Sequence, residues 1–226
     1  AVKSAADKLG ARAKPRTGPG VELPPLDPAR DGDVTRYRHL TVEVDRARRV
    51  ANLTLFGPKG AQPKTAEEIR RAGAELWALR AFRELDHPLL DLRVNQLEVG
   101  LIVLRTEGDV AAVRQSDRAL SEAAESDWFA GEVLLQMRRT LKRLDLSAKT
   151  LFAVIEPGSC FAGSLLELAH AADRSFMLDA EGGPKIALSE LSFGRFDMSN
   201  GLSRLATGFL SDPRRVDHLK QRTEPM

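Results

Sequence analysis

The sequence has little cysteine, few aromatic residues and no marked excess of charge of either sign. A single cysteine among 226 residues, Cys160, excludes a disulfide framework and a cysteine-rich zinc site. With 34 basic and 32 acidic side chains, the net charge of +2 does not indicate a nucleic-acid partner. No apolar run approaches the roughly 20 residues that span a membrane. We therefore expect a soluble, cytoplasmic protein with no metal site and neither a nucleic-acid nor a membrane partner.

The first part of the chain differs in composition from the rest. Residues 1–60 carry twelve basic and seven acidic side chains, and residues 1–35 hold most of the closely spaced prolines and glycines. Because proline interrupts helices and strand ladders, we interpret 1–35 as a basic linker. An α/β domain is predicted for 36–212, and 213–226 are predicted to begin a truncated C-terminal segment. Since the chain starts without methionine inside a helix-like segment, we expect it to be part of a longer polypeptide.

Hydrophobic periodicity predicts strands that alternate with helices. Apolar residues recur every second position over 40–45 and 51–55, which is typical of a β-hairpin. A capping box at 65–68 predicts the start of a helix. The sequence Asp-His-Pro at 86–88 is expected to end that helix. Further strands are predicted at 98–104, 150–155, 175–178 and 186–188, with helices at about 127–145 and 164–173. This order predicts an α/β fold with a largely parallel sheet.

Three loops combine a strand end, a glycine and polar groups. In 105–109, Gly108 would let a backbone N–H point into a cleft, and Asp109 would cap a following helix. In 158–173, small residues precede a helix whose first N–H groups would favour an oxyanion. Glu167 on that helix and Glu190 in 189–194 would divide acid and base work in an apolar cleft. Cys160 and His170 are interpreted as structural.

These segments, in this order, resemble the crotonase (enoyl-CoA hydratase/isomerase) superfamily. The motif "G-A-D" is similar to residues 107–109, and "A-L-G-G-G-x-E-L-A" is similar to 161–169. The hairpin motif "N-R-P-x-x-x-N" is similar to 55–60. The resemblance implies a crotonase-type (ClpP/crotonase) spiral of repeated β-β-α units, incomplete at its C-terminal end.

The resemblance also implies roles for individual residues. The oxyanion-hole donors would be the amides of Gly108 and Ser164, with Gly163 beside them. Glu167 and Glu190 would be the catalytic carboxylates. Two basic residues, Lys59 and Arg105, would bind the phosphates of coenzyme A.

Longer phrases, among them LRTEGDV and IALSELSFGRFDMSNGLSRLA, are similar to the benzoyl-CoA-dihydrodiol lyase family. The resemblance covers about 35–210 and falls on the second of that family's two crotonase-like halves. It implies hydrolytic ring opening of 2,3-epoxybenzoyl-CoA with release of formate. No cofactor beyond the coenzyme A of the substrate is implied. The expected partners are this CoA thioester, the missing N-terminal half and further copies of the chain in a homo-oligomer.

The residues leave alternative functions open. The superfamily's triple glycine is replaced by Gly163, Ser164 and Leu165, and Ser189 stands where proline precedes the second glutamate. One hypothesis is that this half holds a working thioester site. Another is a non-catalytic, crotonase-like scaffold that packs against a separate catalytic half. A generic enoyl-CoA hydratase/isomerase is the third.

Overall fold

A seven-stranded mixed sheet forms the centre of the structure, a computed structural model that describes residues 2–12, 20–221 and 225. The strands lie side by side in chain order: β1 Ala29–Asp31, β2 Val34–Arg36, β3 Leu40–Asp45, β4 Val50–Phe56, β5 Leu101–Glu107, β6 Thr150–Ile155 and β7 Arg174–Met177. Strands β1 to β4 pair antiparallel, and β4 to β7 pair parallel.

Helices provide the crossovers between the parallel strands, as such connections require. The described helices are α1 Val2–Arg12, α2 Ala66–Ala72, α3 Trp77–Val94, α4 Val110–Ala123, α5 Trp128–Leu144, α6 Gly163–His170, α7 Arg204–Gly208 and α8 Arg214–Lys220. Alternate residues of β4, β5 and β6 are buried, so the core lies on one face of the sheet. No helix in the described part of the chain is long and apolar enough to cross a membrane.

The hairpin and most of the later elements confirm the sequence predictions. Leu40 pairs with Leu55 in the antiparallel β3–β4 hairpin. The predicted helices at about 127–145 and 164–173 correspond to α5 and α6, and the strand at 150–155 is β6. The capping box also forms, because Glu68 N donates to Thr65 Oγ1 at 3.2 Å and Thr65 N donates to Glu68 Oε2 at 3.3 Å.

The prediction that Pro88 stops a helix is wrong. The helix instead divides near Gly73, which has φ of +53°, and resumes as α3, with Pro88 inside it. Proline removes one backbone hydrogen bond from a helix. Leu85, Leu89 and Leu92 lie in the core on both sides of Pro88. Burial of these leucines outweighs the local cost of the proline.

Three further predictions about the bounds of elements are corrected. Within the expected linker 1–35, residues 29–31 form β1, and β2 begins at Val34, so the ordered sheet starts before residue 36. The part of that linker at 13–19 lies outside the described residues, as do 222–224 and 226 of the expected C-terminal segment. The strand expected at 186–188 is a single bridge between Ala162 and Ala187. The strand expected at 98–104 is β5, which begins later.

Candidate functional site

The loops singled out in the sequence meet at one edge of the sheet. Strands β4, β5 and β6 run parallel, so the segments that follow them leave from the same edge. The loop after β5 contains Gly108, and Asp109 caps α4 by accepting a hydrogen bond from Ala111 N at 2.8 Å. The loop after β6 leads into α6. The fold therefore brings together the expected oxyanion donors in one region.

The amide of Gly108 is already hydrogen-bonded inside the protein. It donates to the carbonyl oxygen of Gly158 at 2.9 Å. Its φ of +149° favours glycine, and a Cβ here would lie 3.2 Å from Gly57 Cα and 3.3 Å from Cys160 Sγ. Cys160 is fully buried, as its structural interpretation requires, and burial raises the pKa of its thiol to about 11. The loop is thus closely packed around Gly108 and leaves no room there for a side chain.

The backbone amides at the start of α6 also donate hydrogen bonds within the protein. Gly163 N donates to the carbonyl oxygen of Ala187 at 2.8 Å. Ser164 N donates to Asp117 Oδ2 at 2.6 Å, and Ser164 Oγ donates to Asp117 Oδ1 at 2.7 Å. A Cβ at position 163 would overlap Asp117 Oδ2, so the carboxyl group's position requires glycine there. The side chain of Asp117 therefore fills the place that the sequence suggested for a substrate oxyanion.

Asp117 projects from α4 and is almost completely buried. Burial raises the pKa of Asp117 to about 7, and the charge of Glu190 adds to the rise, while hydrogen bonds from Ser164 oppose it. The first turn of α6 stabilises this carboxyl group through the Ser164 backbone N–H, which has no acceptor within the helix, and through the helix dipole. The acid thus serves as an internal helix cap.

The two predicted catalytic glutamates lie in different environments. Glu167 is buried, and its Oε2 accepts a hydrogen bond from Arg204 Nη1 at 3.0 Å. His170 Nδ1 lies 3.5 Å from Glu167 Oε1. Arg204 also binds both carboxylate oxygens of Asp145, at 2.8 and 3.0 Å. Glu190, by contrast, is exposed. Glu167 is therefore held in a buried ion pair, whereas Glu190 faces solvent.

The two predicted coenzyme A contacts have different partners in the structure. Lys59 Nζ stacks over the Phe56 ring, 5.6 Å from its centroid, and lines a cavity of about 470 Å³ together with Arg38. Arg105 forms an ion pair with Glu156 across the ends of β5 and β6. A role for Lys59 and Arg105 in binding phosphates stays a prediction.

The assignment of Gly108, Gly163 and Ser164 to an oxyanion hole stays a prediction. The residues lie in one region, but each amide donates to an acceptor of the protein itself. Sequence reasoning missed Asp117 and Arg204. A signal for Asp117 was present, because it lies four residues after Val113 and three before Leu120 on the apolar stripe of α4. An acid at such a position is buried and needs a donor.

The fold is that of a crotonase-like α/β protein. An enoyl-CoA hydratase from Geobacillus kaustophilus superposes with a TM-score of 0.52 at 19% identity, over 85% of this chain and 64% of that one. AtuE from Pseudomonas aeruginosa gives a TM-score of 0.49 at 18% identity, over 84% and 64% of the respective chains. No family model matches the chain.

A relative found by sequence comparison indicates a more specific family within this class of protein. The chain is 42% identical over 224 residues to benzoyl-CoA-dihydrodiol lyase from Aromatoleum evansii, which covers 95% of this chain and 40% of the relative. The chain is thus a homologue of that lyase and spans about 40% of its length. This finding confirms the predicted resemblance to the benzoyl-CoA-dihydrodiol lyase family.

Proposed function

We propose that this chain is a structural, crotonase-like part of an enzyme of the benzoyl-CoA-dihydrodiol lyase type. In this proposal the hydrolytic opening of 2,3-epoxybenzoyl-CoA takes place elsewhere in that enzyme. The 42% identity to part of the lyase supports the family-level assignment. The fold allows more than one function, so the assignment of a structural role depends on the site itself.

The observation that carries the proposal is the position of Asp117. Thioester chemistry in this superfamily needs free N–H donors directed at a carbonyl oxygen that gains negative charge. Here Ser164 donates both its amide and its hydroxyl to Asp117. A carboxyl group at that position also repels a developing oxyanion whenever it is ionised. The helix terminus therefore stabilises the protein's own acid instead of a substrate.

The glutamates support the same conclusion. A general acid or base must lie within hydrogen-bond reach of the reacting group and change its protonation. Glu167 is buried and its carboxylate is bound by the Arg204 guanidinium at 3.0 Å. Glu190 is exposed to solvent and does not lie in an enclosed apolar cleft. Each glutamate has a structural or solvated environment in place of a catalytic one.

The test compares the isolated chain with a full-length lyase that contains it. We expect the isolated chain to release no formate from 2,3-epoxybenzoyl-CoA and to show no calorimetric binding of benzoyl-CoA. In the full-length enzyme, Glu190→Gln should leave formate release within about twofold of the unchanged enzyme. Glu181→Gln, at another exposed glutamate, is the matched control.

Two results would overturn the proposal. One is formate release by the isolated chain that Glu190→Gln abolishes while Glu181→Gln does not. The other is a loss of about a hundredfold or more in the full-length enzyme on Glu190→Gln with an unchanged thermal unfolding curve. Either result would show that this part of the enzyme holds the working site, with Glu167 and Glu190 as its acid and base.

A further inference from the structure

The two faces of the central sheet differ. Along β5 and β6, buried residues that face the core alternate with partly buried residues on the other side of the sheet, which we call the outer face. The outer face carries Leu101 and Val103 from β5, and Phe152 and Val154 from β6. Phe176 of β7 is 51% exposed, and its ring centroid lies 5.4 Å from that of Phe152. Because parallel strands normally have both faces covered, an apolar outer face over β5–β7 indicates that something packs on it.

A row of residues in register crosses the outer face from β3 to β7. Glu43 pairs with Asn52, Asn52 with Val103, Val103 with Phe152, and Phe152 with Arg174. The side chains of residues in register point to the same face of a sheet. The row therefore has an acid at one end and a base at the other, with Val103 in the middle, two strands from each end.

The two charges at the ends of this row are not neutralised within the described structure. Glu43 and Arg174 are both exposed, and neither forms an ion pair with another described residue. Arg105 and Glu156, which also lie on the outer face, form an ion pair with each other. The outer face thus combines an apolar middle with one free negative charge on β3 and one free positive charge on β7.

We infer that the outer faces of two copies of this chain pack against each other about a two-fold axis parallel to β5. This rotation exchanges the β3 side of the sheet with the β7 side. Glu43 of each copy then faces Arg174 of the other, and Val103 meets its counterpart on the axis. Such an interface is self-complementary, as two-fold symmetry requires, and it is an aligned packing of two sheets. The inference concerns assembly, so it does not rest on the proposed function.

A second copy accounts for the charges better than an apolar cover does. An apolar segment over the outer face would remove water from Glu43 and Arg174 without supplying a counter-ion, which is unfavourable. Two copies satisfy both charges twice, and the charges also fix the register of the two sheets. Four strand spacings of about 4.8 Å separate β3 from β7, so the row spans about 19 Å, which is small for a specific interface. We therefore expect a dimer that dissociates at micromolar concentration.

The experiment measures the mass of the full chain by sedimentation velocity between about 5 and about 500 µM, a range that covers such affinities. We expect a reversible equilibrium between monomer and dimer. Arg174→Glu and Glu43→Arg should each weaken the dimer at least about tenfold, because like charges then meet across the interface. The double variant with both substitutions should restore the dimer to within about threefold of the unchanged chain. Arg93→Glu, at an exposed arginine of α3, is the matched control and should leave the equilibrium unchanged.

Several outcomes would overturn the inference. A chain that stays monomeric over the whole range would leave the rest of a longer lyase as the occupant of the outer face. A dimer weakened by Arg174→Glu but not by Glu43→Arg would indicate pairing of two β7 edges instead. Failure of the double variant to restore the dimer, with an unchanged thermal unfolding curve, would exclude the proposed charge pairing. If the double variant is unstable, Phe176→Ser decides, because a shortened apolar patch should weaken the dimer at least about threefold and unchanged association would contradict the interface.

Discussion

The N-terminus of α6 and the Arg83 side chain of α3 both hold hydrogen-bond donors inside the protein. At α6, Asp117 from the same chain accepts from the amide and hydroxyl of Ser164. Arg83 Nη1 is buried and has no acceptor among the residues that the structure describes. The donors of the first region are satisfied within the protein, whereas one donor of the second is not.

The same contrast separates two arginines. The Arg204 side chain is 2% exposed and bonds to Glu167, to Asp145 and to the carbonyl oxygen of Leu141. In the described part of the chain, Arg83 makes one such bond, to the carbonyl oxygen of Pro24. Arg204 thus ties α7 to α5 and α6, whereas Arg83 holds the backbone at Pro24. Substitution of each arginine by methionine measures the difference.

The largest effect is expected at Arg204. Arg204→Met should lower the free energy of unfolding by about 3–5 kcal/mol, because it leaves the buried Glu167 carboxylate without a counter-ion. Urea denaturation at pH 7, followed by circular dichroism, measures the loss. The double variant Arg204→Met with Glu167→Gln should recover part of it, since no uncompensated charge then remains at position 167. A loss below about 1 kcal/mol for the single variant would show that the network is not structural.

An effect of similar size that depends on pH is expected at Asp117. Its pKa is raised from 3.8 to about 7 in the folded protein, so between these values the native state keeps a proton that the unfolded state has lost. The contribution of Asp117 to stability therefore falls as pH rises from about 4 to 7, by up to about 1.4 kcal/mol per pH unit. The side chain introduced by Asp117→Asn does not titrate, so the difference in unfolding free energy between the two proteins isolates this slope.

Urea denaturation of both proteins at closely spaced pH values provides the measurement. We expect the stability of the unchanged protein relative to Asp117→Asn to decline from about pH 4 to about pH 7 and to level off above it. The Asp7→Asn variant, at an exposed position of α1, controls for the loss of one acidic group. A difference that is flat over this range, or that increases with pH, would contradict the burial of Asp117 as an acid with a raised pKa.

Local sequence patterns predict much of the fold but little of the candidate site. The hairpin at β3–β4, the capping box at Thr65 and strand β6 follow from alternation and capping within a few residues. The break near Gly73 and the passage of α3 through Pro88 depend on tertiary burial, which local rules do not contain. The sequence motif located the region of Ser164. It did not reveal that Asp117, 47 residues earlier, occupies that helix terminus, because this contact forms only when α4 packs against α6.

The smallest change in stability is expected at Arg83. Arg83→Met removes a hydrogen bond to Pro24 but also removes a buried donor that has no acceptor in the described structure. These two effects are of similar size and opposite sign, so the free energy of unfolding should change by less than about 1 kcal/mol in either direction. The same urea titration that measures Arg204→Met provides the comparison. A loss as large as that of Arg204→Met would contradict this expectation and would mean that Arg83 contributes more to the fold than its hydrogen bond to Pro24.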